Sequence, residues 1–275
     1  MKIQSKFFFP FLLCFVILSA CGNDETAGPV TDPYGLDDGV LKILFIGNSH
    51  TYYNDLPATV KKTILSSGYP DSVLVVVSAP GGFAFKDHVE STQTQSSVQA
   101  ENWDWVVLQE NGGYASFPSE KAQTEVYPFA AQLRDMVKAN NKGTKILLYM
   151  THGYRDGASW CDQDPAVCSY GQMQNEIRRN YIFMGNSLDA GIAPAGMMWK
   201  IILSQKELGL WDADTIHPSP TGSYISALTL FAVMQNQRLS SALFVPAFLA
   251  ADDRELIFET INKSVFDGDP DWREF

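Results

Sequence analysis

Basic residues are scarce in this chain. Lysine and arginine number 20 against 31 aspartates and glutamates, for a net charge of −11. So acidic a surface repels phosphate backbones and anionic headgroups, which argues against nucleic acid and electrostatic lipid docking as partners. Histidine is scarcer still: His50, His88, His152 and His217 are the whole supply. No trio among them has the spacing of a zinc centre. The chain has no internal repeat, no long low-complexity stretch and no second linker. Its one long apolar run, residues 7–20, is interrupted by Pro10 and is short for a membrane span.

What that run does have is a basic start, Lys2 and Lys6, the order of charge and apolarity in a secretory signal peptide. It ends Leu18-Ser19-Ala20-Cys21, which resembles the bacterial lipobox. The implication is cleavage after residue 20, lipid on the Cys21 sulfur, and attachment to a membrane of the bacterial cell envelope. A plain signal peptide followed by a free cysteine is the alternative. Residues 21–40, rich in Gly, Pro, Asp and Thr, are expected to be a flexible tether, with a single domain over 41–275. Removing the signal removes two lysines and no acid, so the charge falls from −11 to about −13. Cys14 leaves with it. Cys161 and Cys168 remain, seven residues apart in a polar stretch and in an oxidising compartment, which predicts a disulfide. A metal pair there would lack nearby Cys or His to complete its site.

The domain is organised around residues 41–51, Leu-Lys-Ile-Leu-Phe-Ile-Gly-Asn-Ser-His-Thr. Five apolar residues broken only by Lys42 suit a parallel strand covered on both faces. Gly47-Asn48 stops it, and Ser49 stands on the turn, with a helix expected from Leu56. Open α/β sheets bind ligands at the carboxyl ends of their strands, so this is an address for a nucleophile. Gly-Asn-Ser alone is ordinary turn composition; the remaining chain has to decide. Further strands are predicted over 72–78, 104–109, 145–150 and 192–194. Helices are predicted over 56–67, 85–99, 118–141, 171–188, 197–208, 219–234 and 252–265, with a long loop at 151–170. Strands separated by helices imply right-handed crossovers and a parallel sheet, hence a three-layer α/β/α domain with about five strands.

A serine nucleophile needs a base, and the base needs an orienting group. His217 lies in Asp214-Thr215-Ile216-His217-Pro218, where Asp214 can reach its Nδ1–H and leave Nε2 to the serine. Asp212 is a competing acid at a less favourable spacing. Donors for a developing oxyanion are offered by Gly81-Gly82 after the second strand and by Asn111 after the third. Each feature is weak alone. Together they follow three successive strands in one consistent polarity.

These residues resemble the SGNH (GDSL-type) hydrolase superfamily over roughly residues 42–234. Gly47-Asn48-Ser49 matches its Gly-Asp-Ser block with Asn for Asp. Gly82, or Gly81 one place away, matches its glycine block. Gln109-Glu110-Asn111-Gly112 keeps the Asn of Gly-x-Asn-Asp, and Asp214 and His217 match Asp-x-x-His. The resemblance implies a flavodoxin-like three-layer fold, no cofactor, and ester hydrolysis through an acyl-serine intermediate. Ser49 is then the nucleophile, His217 the base and Asp214 its orienter. The oxyanion donors are the Ser49 N–H, Gly82 and Asn111, and Gln109 is open as a sharer of the last role. Gln109, His50, His152, Tyr154 and Trp160 are candidates for the substrate pocket, with His88 helping to close it. Arg155 and the aromatic residues in the loop that Cys161–Cys168 would staple suit a sugar or an aryl ester. No stretch resembles the apolar lid of a lipase. The expected substrate is a small ester or acylated glycan, with deacetylation of carbohydrate favoured and a monomer expected. The alternatives are a membrane-tethered glycan-binding protein on a degenerate hydrolase fold, and a thioesterase or arylesterase with the same triad.

Overall fold

The computed structural model describes residues 38–68, 70 and 72–275. The signal segment and Cys21, with the tether as far as residue 37, lie outside the described residues. The centre of the domain is β1 (Val40–Ile46), in which Leu41 and Ile43 to Ile46 are all buried. A strand so apolar on both faces needs neighbours on both edges and a helical layer above and below. β2 (Ser72–Ser78) pairs along one edge, with Ile43 opposite Val75. β3 (Trp105–Leu108) pairs along the other, with Ile43 opposite Trp105. β4 (Lys145–Tyr149) and β5 (Gly191–Ala193) continue that side, giving a fully parallel sheet in the order β2-β1-β3-β4-β5.

The helices follow from that order. α1 (Ser49–Tyr52) is one turn after β1, and α2 (Leu56–Ser66) carries the chain across to β2. α3 (Phe85–Glu90) and α4 (Thr92–Gln99) return it on the opposite face to β3. The short α5 (Gly112–Ala115) and α6 (Ser119–Glu125) precede α7 (Tyr127–Asn140), which leads to β4. α8 (Tyr170–Leu188) leads to β5, and α9 (Ala195–Gln205), α10 (Pro220–Gln235) and α11 (Ala251–Asn262) complete the chain. α2, α9 and α10 pack together in one layer, and α3, α4, α7 and α8 in the other. The strand order reverses between β1 and β3, so their carboxyl ends flank the crevice where such sheets hold ligands. The described residues fall in one compact unit, Leu36–Phe275.

Two helices predicted as single are broken. Residues 85–99 divide at Ser91, which is extended, with its hydroxyl capping the Thr94 N–H at 3.3 Å. Residues 118–141 divide at Val126, because Pro128 has no N–H to give a continuing helix and fits only in a first turn. Among the described residues no helix is long and apolar enough to cross a membrane. Residues 151–169 carry only one short 3-10 turn, Pro165–Val167, and Cys161 is disulfide-bonded to Cys168 with Cα atoms 4.7 Å apart. Thiol labelling of the unreduced protein, read by intact mass, should leave both cysteines unmodified; a label on either would break the pairing.

Candidate active site

Ser49 opens α1 at the carboxyl end of β1, and Asn48 is the N-cap. The Asn48 Oδ1 accepts the His50 N–H at 3.1 Å, and its Nδ2 donates to the Phe83 carbonyl at 2.8 Å. The Ser49 hydroxyl is 2.8 Å from His217 Nε2. Among the described residues it is the only side-chain hydrogen bond of that hydroxyl. The His217 Nδ1 donates to Asp214 Oδ2 at 2.5 Å. The three side chains form one line from 168 residues of sequence apart.

The loop that brings His217 is pinned by its own backbone. Trp211 bridges Pro218, the Asp212 N–H donates to the His217 carbonyl at 2.8 Å, and Thr215 takes a positive φ of 67°. Asp214 Oδ1 accepts from the Ile216 and His217 N–H groups, each at 2.9 Å. Partial burial alone would raise the Asp214 carboxyl. The His217 ring and those two N–H groups outweigh it and hold the carboxyl at about 2. Asp212 uses its own carboxylate on Ala213 N–H at 2.8 Å, so Asp214 and not Asp212 partners the histidine. Tyr53 stacks flat on the His217 ring, with centroids 4.1 Å apart. Asn54, at φ 52°, donates to the Pro218 carbonyl at 2.8 Å and ties the nucleophile segment to the histidine segment. Sequence reasoning missed both. An Asn two places past a Tyr in a polar run carries no signal of a partner so remote.

The glycine loop completes the site. Gly82 has φ 79°, a conformation that any Cβ would strain, and Asn111 Nδ2 donates to its carbonyl at 3.1 Å. An amide carries two N–H bonds, so a second remains for an oxyanion. Ser49, Gly81, Gly82, Asn111 and His217 share a cleft of about 390 Å³ with Tyr52, Tyr53 and Tyr154. Asn111, Tyr154 and Ile216 also line a second cleft of about 630 Å³ walled by Tyr114, Phe117 and Trp160. The two therefore adjoin.

Several pocket candidates lie elsewhere. Gln109 is wholly buried; its Oε1 accepts from the Asn48 N–H at 3.0 Å and from Thr51 Oγ1 at 2.7 Å, so it shapes the turn and lines neither cleft. His152 lies under the histidine loop, not in the pocket wall. Its Nε2–H donates to the Ile216 carbonyl at 3.0 Å and its ring stacks on Trp199 at 3.9 Å. Burial lowers its pKa to about 4. His88 does not close the site; its Nε2–H donates to the Gly47 carbonyl at 2.8 Å from within the core. Arg155 is exposed and pairs with Asp156. His50 does line the smaller cleft, with Nδ1 3.0 Å from Thr151 Oγ1. Burial drives its pKa well down, with His152 and His217 adding to the fall.

No family model matches the chain in sequence, and no curated protein does. Solved structures do. A protein of Slackia heliotrinireducens classed with the SGNH hydrolases matches at TM-score 0.58 and 26% identity, over 71% of this chain and 99% of its own. A DUF4886-family protein of Bacteroides uniformis matches at TM-score 0.68 and 14% identity, over 84% and 96%. A variant of an acetyl-xylooligosaccharide esterase of Geobacillus stearothermophilus matches at TM-score 0.53 and 21% identity, over 73% and 97%. The chain has the fold of the SGNH/GDSL hydrolases. Its departures from the superfamily's motifs now have local causes. Asn48, where Asp is usual, donates to a carbonyl that a carboxylate would repel. Gln109, where Gly is usual, carries the oxygen that holds the Asn48 N–H. Gly112, where Asp is usual, would bring a Cβ to 3.1 Å from both His50 and Tyr154. Asn48→Asp, though it restores the usual motif, should destabilise the fold by about 1–3 kcal/mol through the unsatisfied Phe83 carbonyl. Chemical denaturation of both proteins measures this, and equal midpoints would contradict it.

Proposed function

We propose that the protein is a serine esterase that removes small acyl groups, acetyl above all, from carbohydrate. The observation that carries the esterase reading is the unbroken line Ser49 Oγ–His217 Nε2–Asp214, at 2.8 and 2.5 Å. As Ser49 Oγ attacks the ester carbon, its proton passes to His217 Nε2. The carbonyl oxygen becomes an oxyanion that takes N–H donors from Ser49, Gly82 and Asn111. On collapse the carbon–oxygen bond to the alcohol breaks and His217 gives that alcohol the proton. Water then attacks the acyl-serine, again through His217, releasing the acid and restoring the serine. Asp214, ionised throughout, holds the imidazole and balances its charge. No cofactor enters.

The sugar reading rests on the clefts. The cleft at Ser49, lined by Tyr52, Tyr53 and the glycine loop, is the smaller of the two at about 390 Å³, which favours a short acyl group. The adjoining larger cleft is lined by Tyr114 and Trp160, and sugar rings pack on aromatic faces, so we assign the alcohol to that side. The Geobacillus neighbour is described as an acetyl-xylooligosaccharide esterase, which agrees. The protein would work as a lipid-anchored monomer of the cell envelope, held through Cys21.

A panel of esters from acetyl to long acyl, with acetylated sugars included, tests the substrate. Ser49→Ala and His217→Ala should each lower kcat by roughly 10⁴–10⁶-fold without unfolding, and the double variant should be no worse than either. Multiplicative losses would mean that His217 does not serve Ser49. Sugar binding that survives in Ser49→Ala, from a wild type with no hydrolysis, would favour the glycan-binding alternative. In the cells of origin, wild type should fractionate with membranes and Cys21→Ala should not. Equal partition would end the anchor.

A further inference from the structure

Glu110 is a carboxylic acid with no exposure to solvent, one residue before Asn111. The triad does not use it. Its Oε1 accepts the Asn111 N–H at 2.6 Å and the Phe85 N–H at 3.1 Å, and its Oε2 lies 3.2 Å from the same Phe85 nitrogen. Asn111 carries one oxyanion donor. Phe85 opens α3 at the end of the glycine loop that carries another, Gly82. One carboxyl group thus joins the two segments whose spacing sets the cradle. The same loop is held at Phe83 by Asn48 and at Gly82 by Asn111, so Glu110, through the Phe85 N–H, adds a third hydrogen-bonded tie.

We propose that Glu110 is a positioning residue of the oxyanion cradle, clamping the glycine loop and Asn111 at a fixed separation through the Phe85 and Asn111 N–H groups. The clamp rests on the esterase reading for its consequence in turnover, but not for its existence.

Its ionisation has a direction. Burial raises the carboxyl to about 8, against the two N–H donors, which lower it. From α3, Asp87 raises it further and Lys86 opposes that; from α8, the Tyr181 hydroxyl accepts the Glu110 N–H at 3.1 Å. Below that value Glu110 is a neutral acid whose carbonyl oxygen serves both donors. Above it, a fixed negative charge stands beside Asn111, where the transition state gathers its own. Turnover should therefore fall as pH rises through about 8. The folded state keeps a proton that the unfolded chain, with the ordinary glutamate value of 4.5, has lost. Stability from this group is thus full below 4.5 and declines as pH rises towards 8.

Three proteins test it: wild type, Glu110→Ala and Glu110→Gln, the last a neutral stand-in for the protonated acid. With 4-nitrophenyl acetate, Glu110→Ala should lose about 10–10²-fold in kcat with KM within about twofold. Glu110→Gln should regain turnover to within about threefold of wild type at pH 7 and lack the alkaline fall. Melting temperature should drop between pH 5 and pH 8.5 more in wild type than in Glu110→Gln. Amide exchange at Phe85 and Asn111 should quicken in Glu110→Ala alone. If Glu110→Ala does not fold, the pH behaviour of Glu110→Gln carries the test. Unchanged kcat in Glu110→Ala, equal damage in both variants, or an alkaline fall that persists in Glu110→Gln would overturn the clamp. If wild type hydrolyses no ester, the esterase reading fails, and exchange and melting alone decide the clamp.

Discussion

A strand that ends in the middle of a protein leaves backbone polar groups with no water to serve them, and each must find a partner. At the end of β1 this constraint orders everything else. The Gly47 N–H donates to the Ser78 carbonyl at 3.1 Å, and the Gly47 carbonyl accepts from His88 at 2.8 Å. The Asn48 N–H goes to Gln109 at 3.0 Å, and the Asn48 carbonyl closes the first turn with the Thr51 N–H at 2.9 Å. His88 is braced by Thr94, and Thr94 by Ser78, so β2, α3 and α4 are drawn into the same web. Ser49 is aimed because the turn below it has no freedom left. A nucleophile set this rigidly needs little reorganisation before attack.

The histidine must then come to the serine, and the chain brings it on a loop. Three contacts from other segments hold that loop: Asn54 to Pro218, His152 to Ile216, and the Arg155 N–H to the Thr215 carbonyl at 2.9 Å. Beneath it His152, Trp199 and Trp211 form an aromatic pillar, with Tyr170 against Trp211. The rings, stacked at His152–Trp199 and edge-to-face at Trp211, are stiff and large, so the loop rests on a floor that does not yield. Of four histidines, one is arranged as the base, one lines the cleft, and two build the ground under them.

The fold was legible in β1 because both-face burial leaves an apolar run that few other elements share, and in β2 because its β-branched run suits a strand even at the sheet edge, where only Val73 of residues 73–77 is buried. The breaks at Ser91 and Val126 were hidden, since a cap or a proline in a first turn suits a helix start as well as a helix interior suits its flanking residues. At the site, Ser49, Asp214 and His217 were legible because their spacing is local or motif-bound. Gln109 and His152 were misplaced because a polar residue at a strand end reads alike whether it faces the cleft or the turn. Only the third dimension separates those cases. Tyr53, Asn54 and Glu110 act through partners remote in sequence, and no periodicity marks such pairings.

The charge of the chain bears on its chemistry through where it is missing. With 31 acids among 275 residues, a cleft lined at random would be expected to carry at least one. Neither cleft is lined by an aspartate or glutamate, and Lys121 is the one ionised side chain in the larger. Asp214 turns its carboxylate to His217, and Glu110 keeps a proton up to about 8. Amides stand at 48 and 111, where carboxylates would have put negative charge in the cleft. The reacting oxygen thus gathers charge in a pocket free of competing anions, where each N–H donor counts for more than it would in water. On the proposed function a carboxylate product would leave towards an acidic surface that does not hold it.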